Sequence, residues 1–487
     1  MADGRNEQHS TLWLEAVSII AVAASCLVII GAYYRGGAFD EFATFRFANP
    51  TVPFGAAWRN LWPTETNPPF FYIIARFGVE TIGHSLFARR MVNLPPLLFL
   101  LSWFAIAAKR NPAHRGFLAG FALFAFCGKI FVFYFPEYRS YFWQYCAELV
   151  FTGAAVIGDL DRRRSPDPFQ IAALPVLVLL HQVTTLYAGV LVALLIGVDL
   201  QRRYWWRAGT LALVGALSAV PLGFSTWLQL HHSHDLTGLV AWIKPLGTLT
   251  ALRSVVGYLP PDLAQNWVAI LAAPAAILLP RYRPRDERAA LIRLIALAAA
   301  LATAAILVIN RYLPLTVDRY FTFLAVEVGC VIVLALEPLL RAKPWLAGLV
   351  FLVSAIYLGA SGVQLLKDRR WDRGAEMVAA LVAKCPGTRV HAGSLPPNDA
   401  EQTGLGFVAA PWHLRLLPVA PDVPGACPVL YWTEYKPATR VELALFHGDV
   451  VRATNYRAHL GLSELLMSRT IALRTQGGII LVVRSRN

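Results

Sequence analysis

The chain has 487 residues, 56% hydrophobic and 15% charged, with mean hydropathy +0.50 and net charge +14. A soluble protein carries about 25% charged residues, and here the apolar residues gather into runs of roughly 18 to 21, enough to cross a bilayer core of about 30 Å. A soluble globular fold is therefore excluded. Nucleic acid is not expected as a partner either, because no zinc-finger spacing, RNP-like aromatic motif or basic helix accompanies the positive charge. The basic residues sit in short clusters between apolar runs, where they set topology and meet the headgroups of a lipid bilayer.

In chain order, polar residues 1–11 lead into the apolar run 12–32. That run is too long for a signal-peptide core and lacks a small-x-small cleavage site, so it reads as a retained first span. Further spans are predicted at 89–108, 116–134, 138–158, 168–181, 182–199, 208–228, 263–280, 289–309, 320–340 and 346–366, eleven in all. The short segments 168–181 and 182–199 meet near His181 and suit a hairpin of tilted or incomplete spans. One side receives Lys109, Arg110 and Arg115; Arg162, Arg163 and Arg164; Arg202, Arg203 and Arg207; Arg281, Arg283, Arg285 and Arg288; and Arg341 with Lys343. By the positive-inside rule that side is cytoplasmic. The N-terminus joins it, and an odd number of spans puts the C-terminal region outside a bacterial inner membrane.

Residues 68–83 are apolar but short, start with two prolines and hold Arg76 and Glu80. They are predicted to form an amphipathic helix on the outer interface. That leaves 33–88 as one long external loop, followed by external loops at 229–262 and 310–319. From Lys367 the composition becomes that of a soluble domain. Strand-like stretches at 389–392, 428–434 and 478–483 alternate with helical ones at 374–384 and 440–447. The expected fold class is an all-α polytopic membrane domain over 1–366 with a small extracytoplasmic α/β domain over 367–487. No internal repeat or low-complexity tract is seen.

Several residues could carry chemistry. Phe39-Asp40-Glu41 places two adjacent carboxylates just past the first span. The bland reading is a solvated helix start. The functional one makes one carboxylate a general base for an attacking hydroxyl, with the other as a ligand or orienting partner. Glu65 stands before Pro68-Pro69, at an interfacial helix start beside the most apolar part of the loop. A leaving phosphate needs positive charge from Arg, Lys or a divalent metal ion (Mg, Mn or Zn). Lys129, Glu148 and Glu327 lie inside spans, where charges are normally paired. Matched depth, about 10 Å below the outer face, predicts a structural Lys129–Glu327 pair. The run His231-His232-Ser233-His234-Asp235 reads first as polar filler and second as a metal site.

Six elements in order carry a resemblance: Asp40-Glu41; the acid-x-x-Pro-Pro-aromatic run Glu65-Thr66-Asn67-Pro68-Pro69-Phe70; Arg89-Arg90 opening the next span; Pro136-Glu137-Tyr138-Arg139-Ser140-Tyr141; His181 with Thr184-Thr185; and Asp318-Arg319-Tyr320. Together these resemble the GT-C superfamily of glycosyltransferases, nearest its bacterial branch of protein mannosyltransferases, aminoarabinose transferases and rhizobial galacturonosyltransferases. The resemblance covers about residues 12–340, and no motif matches the C-terminal domain. Asn67 departs from it, since many members carry His or Lys there.

The resemblance implies that Asp40 is the catalytic base and that Glu41 and Glu65 help place metal or substrate. It implies that Arg139 and Arg319, with Tyr320 and Arg89, face the phosphate of a lipid donor, and that Glu137, Tyr141 and His181 position substrate or metal. The implied activity is inverting transfer of a monosaccharide from a polyprenyl-phosphate lipid to an envelope glycan, lipid or protein at the extracytoplasmic face. No Gly-rich phosphate loop or cytoplasmic nucleotide-binding domain points to a nucleotide-sugar donor. The alternative is a lipid-linked saccharide flippase or secondary transporter, for which inverted repeats and broken midplane helices would be the signature; the polar residues here instead collect at one face.

Of six cysteines, Cys26, Cys127, Cys146 and Cys330 lie in apolar runs and read as small hydrophobes. Cys385 and Cys427 are alone in the polar C-terminal region, each before a proline, and an oxidising compartment predicts a disulfide between them.

Overall fold

The structure, a computed structural model, describes the chain except residues 1, 38, 66, 233–245, 264–266, 280, 283, 285, 314–316, 368–370, 394–398, 421, 423–424, 434–450, 454–469, 476–477 and 484–487. The candidate metal run is described only at His231 and His232; Ser233, His234 and Asp235 lie outside the described residues, as do Thr66, Arg283, Arg285, Glu434 and the predicted helix 440–447. Two compact units divide the chain. One holds Met1–Ala32 and Ala48–Gly362, the other Tyr33–Phe47 and Val363–Asn487.

The first unit is helical. Each predicted span carries a helix: α1 (Ala2–Tyr34, reaching into the second unit), α4 and α5 (Leu86–Arg90, Leu94–Arg110), α6 and α7 (Arg115–Cys127, Lys129–Tyr134), and α8 (Tyr141–Leu160). Then come α9 (Pro168–Leu180), α10 (Gln182–Gln201), α11 (Trp205–His232), α13 (Trp267–Leu278), α14 (Asp286–Ile309), α15 (Thr322–Ala342) and α16 (Pro344–Lys367). Two helices lie in predicted loops, α3 (Phe70–Thr81) and α12 (Thr248–Leu263).

Among the described residues, seven helical stretches are long and apolar enough to cross a membrane: Leu12–Tyr34, Leu86–Arg110, Gln182–Gln201, Trp205–His232, Asp286–Ile309, Arg319–Ala342 and Pro344–Lys384. The other predicted spans are shorter or, in α8, carry Glu148 and Asp159. Backbone breaks account for the short ones. Gly128 turns extended between α6 and α7, and His181 does so between α9 and α10. Helix α3 is amphipathic as predicted: Phe71, Tyr72, Ala75, Gly78 and Val79 are buried, while Phe77 is exposed.

Helix α8 is buried from Tyr141 to Asp159, apart from Trp143, and packs against α5, α9 and α15. The basic clusters at its far end are knitted to acids. Arg163 pairs with Asp161 at 2.8 Å, Arg207 with Asp199 at 3.3 Å, both of the latter buried, and Arg288 and Arg341 both with Glu337. The acids within the spans are not paired as the sequence predicts. Glu327 accepts hydrogen bonds from Tyr187 and from Thr152, the latter at 3.1 Å, rather than pairing with Lys129. Glu148 accepts one from Thr322 at 3.0 Å. The reason is azimuth: at about 100° per residue, Glu327 turns toward α8 and α10, whatever the depth of Lys129.

The second unit holds a six-stranded sheet of order β2-β1-β3-β6-β5-β4. Its strands are β1 (Arg389–Ala392), β2 (Leu416–Pro418), β3 (Val429–Thr433), β4 (Val451–Ala453), β5 (Thr470–Thr475) and β6 (Gly478–Val483). Strand β1 runs parallel to β2 and β3, and β6 runs antiparallel to β3 and β5. Among the described residues of its C-terminal stretch are the helices α17 (Trp371–Lys384) and α18 (Asp399–Ala409). Cys385 and Cys427 are joined, with Cα atoms 5.7 Å apart, 42 positions apart in sequence.

The segment 33–47, predicted to begin the first external loop, is part of this unit. Its helix α2 (Phe39–Phe47) stacks Phe42 on Trp371, ring centroids 5.3 Å apart, and sets Phe45 edge-on to Phe407 at 5.2 Å. Contact with α18 is close enough that a Cβ on Gly404 would stand 2.2 Å from the Phe42 ring.

Two outcomes follow from this packing. Gly404→Ala should destabilise the second unit by about 1–3 kcal/mol through overpacking, read as a lower melting temperature of the purified protein. Closing a loop of this length should contribute about 4 kcal/mol on the chain-entropy estimate. On intact spheroplasts, Cys385 and Cys427 should therefore take an impermeant thiol reagent only after reductant; labelling without it would contradict the bridge.

Candidate functional site

Five of the predicted site residues of the first unit stand at the N-terminal ends of three helices. Arg139 and Tyr141 bracket the start of α8, His181 caps α10, and Arg319 and Tyr320 lie in the 3-10 turn Asp318–Phe321 that leads into α15. Local chemistry fixes each start. Asn93 donates to the carbonyls of Phe135 at 2.8 Å and Glu137 at 2.6 Å, holding the turn before α8. Thr184 donates to Gln144 at 3.1 Å and so ties the first turn of α10 to that of α8.

These ends converge on Tyr141. The guanidinium carbon of Arg139 lies 5.6 Å from the centre of its ring and that of Arg319 lies 5.5 Å away. Arg139 also reaches the Tyr141 hydroxyl, donating at 3.5 Å. The His181 ring is 4.5 Å from the Tyr320 ring and 6.3 Å from the Tyr141 ring. Arg139, Tyr141, His181 and Tyr320 are all buried, with Arg319 half-buried.

His181 sits in the break between α9 and α10, outside both helices. Its Nδ1 accepts the Val183 N–H at 3.2 Å, and its Nε2 is buried with no hydrogen-bond partner among the described residues. With the Nδ1 lone pair so engaged, the imidazole is neutral and its one proton sits on Nε2.

Glu65 and Asn67 approach the same cluster. Asn67 donates to the Glu65 carboxylate at 3.2 Å, and Gln229 of α11 clamps the loop by donating to the carbonyls of Glu65 at 2.9 Å and Asn67 at 3.0 Å. Gln182 holds Gln229 in turn at 3.1 Å. Beside them, burial and then the Glu65 charge keep the Tyr72 hydroxyl well above its usual pKa, so it remains a proton-bearing donor. Sequence reasoning missed Gln229, Gln182, Gln144 and Tyr72. Amides at the ends of apolar helices were the available signal.

Other predicted residues are placed differently. Arg89 lies over the Tyr138 ring at 5.9 Å and donates to the His84 carbonyl at 3.1 Å. Tyr138 in turn donates to the Ala75 carbonyl at 2.7 Å, so the pair braces α3. Glu137 is buried in the turn before α8, its carbonyl held by Asn93. Asp40 and Glu41 belong to the second unit, in the first turn of α2, Asp40 partly exposed and Glu41 buried.

The donor set does not fit a metal centre. No group of three or more His, Cys, Asp or Glu side chains is placed to hold an ion among the described residues. Two guanidiniums flank Tyr141, the lone pair of His181 Nδ1 is occupied, and Asn67 offers an amide. What the arrangement suits is an anion with several acceptor oxygens.

No protein-family model matches the chain, and no curated protein does. Among the solved structures that match are two of ArnT from Cupriavidus metallidurans. The apo form aligns with TM-score 0.54 and 14% identity, and the form bound to undecaprenyl phosphate with TM-score 0.50 and 15% identity. In each case 96% of this chain and 97% of the other are covered. The chain shares the fold of these two structures.

Proposed function

We propose that this protein is an inverting glycosyltransferase of the bacterial inner membrane. It takes a monosaccharide from a polyprenyl-phosphate donor and passes it to an envelope glycan, lipid or protein at the extracytoplasmic face. The observation that carries the reading is the pair of guanidiniums, Arg139 and Arg319, held against one Tyr141 ring beside a neutral, donor-bearing His181. A GT-C fold shared with a structure that binds undecaprenyl phosphate supports a lipid phosphate as the anion.

The reaction then runs as one displacement. Asp40 accepts the proton of the acceptor hydroxyl as its oxygen attacks the anomeric carbon. The bond from that carbon to the phosphate oxygen breaks, the phosphate keeps the electron pair, and configuration inverts. Arg139 and Arg319 meet the charge that develops on the leaving phosphate. Glu41 and Glu65 orient the reacting groups, and Tyr141 and Tyr320 wall the phosphate site.

In a deletion strain the unused polyprenyl-phosphate sugar should accumulate in membrane lipid extracts, and the wild-type gene should clear it. Asp40→Asn keeps side-chain volume but removes the base, so turnover should fall by about 10²–10⁴ while expression and melting temperature hold. Near-normal turnover by the purified variant would refute the assignment. Arg139→Lys and Arg319→Lys lose bidentate recognition, and each should weaken donor binding about tenfold. Unchanged affinity in both would remove them from the site.

A further inference from the structure

His181 has one nitrogen assigned and one waiting. Because Nδ1 accepts the Val183 N–H at 3.2 Å, the single proton of the neutral ring resides on Nε2. That N–H is enclosed, since His181 is 3% exposed, and it has no partner among the described residues. A buried donor is normally satisfied, so its partner belongs to a ligand. The surroundings say which kind. Tyr320 and Tyr141 flank the ring at 4.5 and 6.3 Å, and the Arg139 and Arg319 charges both act on it. A metal cation would meet two like charges and an N–H that repels it. An anionic oxygen would find three donors of the right sign.

Resting on the function proposed above, we infer that His181 binds the phosphate of the donor lipid through its Nε2–H, as a neutral hydrogen-bond donor and not as a base or a metal ligand. The helix cap at Nδ1 and the ligand bond at Nε2 are then two ends of one device: the cap fixes the tautomer, and the tautomer supplies the donor.

Two substitutions separate the two ends. In His181→Asn, the amide oxygen stands where Nδ1 was and still caps α10, since Asn is a favoured N-cap residue, but the Nε2 donor is gone. In His181→Gln, the longer side chain carries an amide N–H to the Nε2 position and gives up the cap.

Each variant is purified full-length in nanodiscs and titrated with undecaprenyl monophosphate, undecaprenol and Zn²⁺ or Mg²⁺ alone. His181→Asn should melt as wild type yet bind the phosphate lipid about ten- to a hundredfold more weakly, with undecaprenol binding unchanged. His181→Gln should keep phosphate-lipid affinity within about threefold of wild type and melt lower. Wild-type affinity in His181→Asn would show the residue to be a cap only and overturn the inference, leaving the proposed function standing. Metal binding by wild type that both variants lose would overturn it in favour of a metal ligand. If wild type does not prefer the phosphate lipid to undecaprenol, the proposed function fails and this inference with it.

Discussion

Three helix starts and two guanidiniums meet around one tyrosine ring, and this concentration of positive potential governs the first unit. Helix N-termini carry the positive end of the peptide dipole and unsatisfied N–H groups. Arg139 and Arg319 add full charges to the starts of α8 and α15. Like charges held this close within an apolar bundle repel one another, and an anion seated between them relieves the repulsion. The chain carries that cost locally and surrounds it with neutral scaffolding: Asn93 on the turn before α8, the Thr184–Gln144 bond, and the Gln229 clamp on the Glu65 loop. Every one of these braces uses an amide or a hydroxyl. None adds a charge that would alter the potential of the site.

The opposite ends of the same helices solve the reverse problem. Arg163, Arg207, Arg288 and Arg341 read in the sequence as a simple topological signal, but acids engage each of them. Charge balance there is local and structural, whereas the Tyr141 end gathers aromatic rings and neutral donors around its arginines. That contrast, rather than the mere presence of arginine at both ends, distinguishes the Tyr141 end of these helices from the end that carries the basic clusters.

Much of this was legible because hydropathy and helix length are read directly from composition. All eleven predicted spans carry helices, and strands at 389–392 and 478–483 stand where alternation placed them. What could not be read was azimuth. Depth along a helix follows from counting residues, but the face a side chain presents depends on packing, so Glu327 turned to Tyr187 and Thr152 and not to Lys129. The same blindness hid Gln229, whose importance comes from a loop more than 160 positions earlier in the chain. Arg89, in the last turn of α4, settled over Tyr138 for the same reason.

Sequence order also concealed how the chain is partitioned. Residues 33–47 follow the first span and by position belong with the membrane domain, yet Phe42 and Phe45 bury themselves among Trp371 and Phe407 of the second unit. Asp40 lies two positions before Phe42 on the same short helix, and a nine-residue helix has little stability of its own. Its form must therefore come from that aromatic packing, and from the glycine at 404 that permits the close approach. A C-terminal domain that matches no catalytic motif thus acquires a physical role, because it folds the helix that presents the proposed base. The Cys385–Cys427 bridge lies in that same unit and helps keep folded the part of the chain on which Asp40 is mounted.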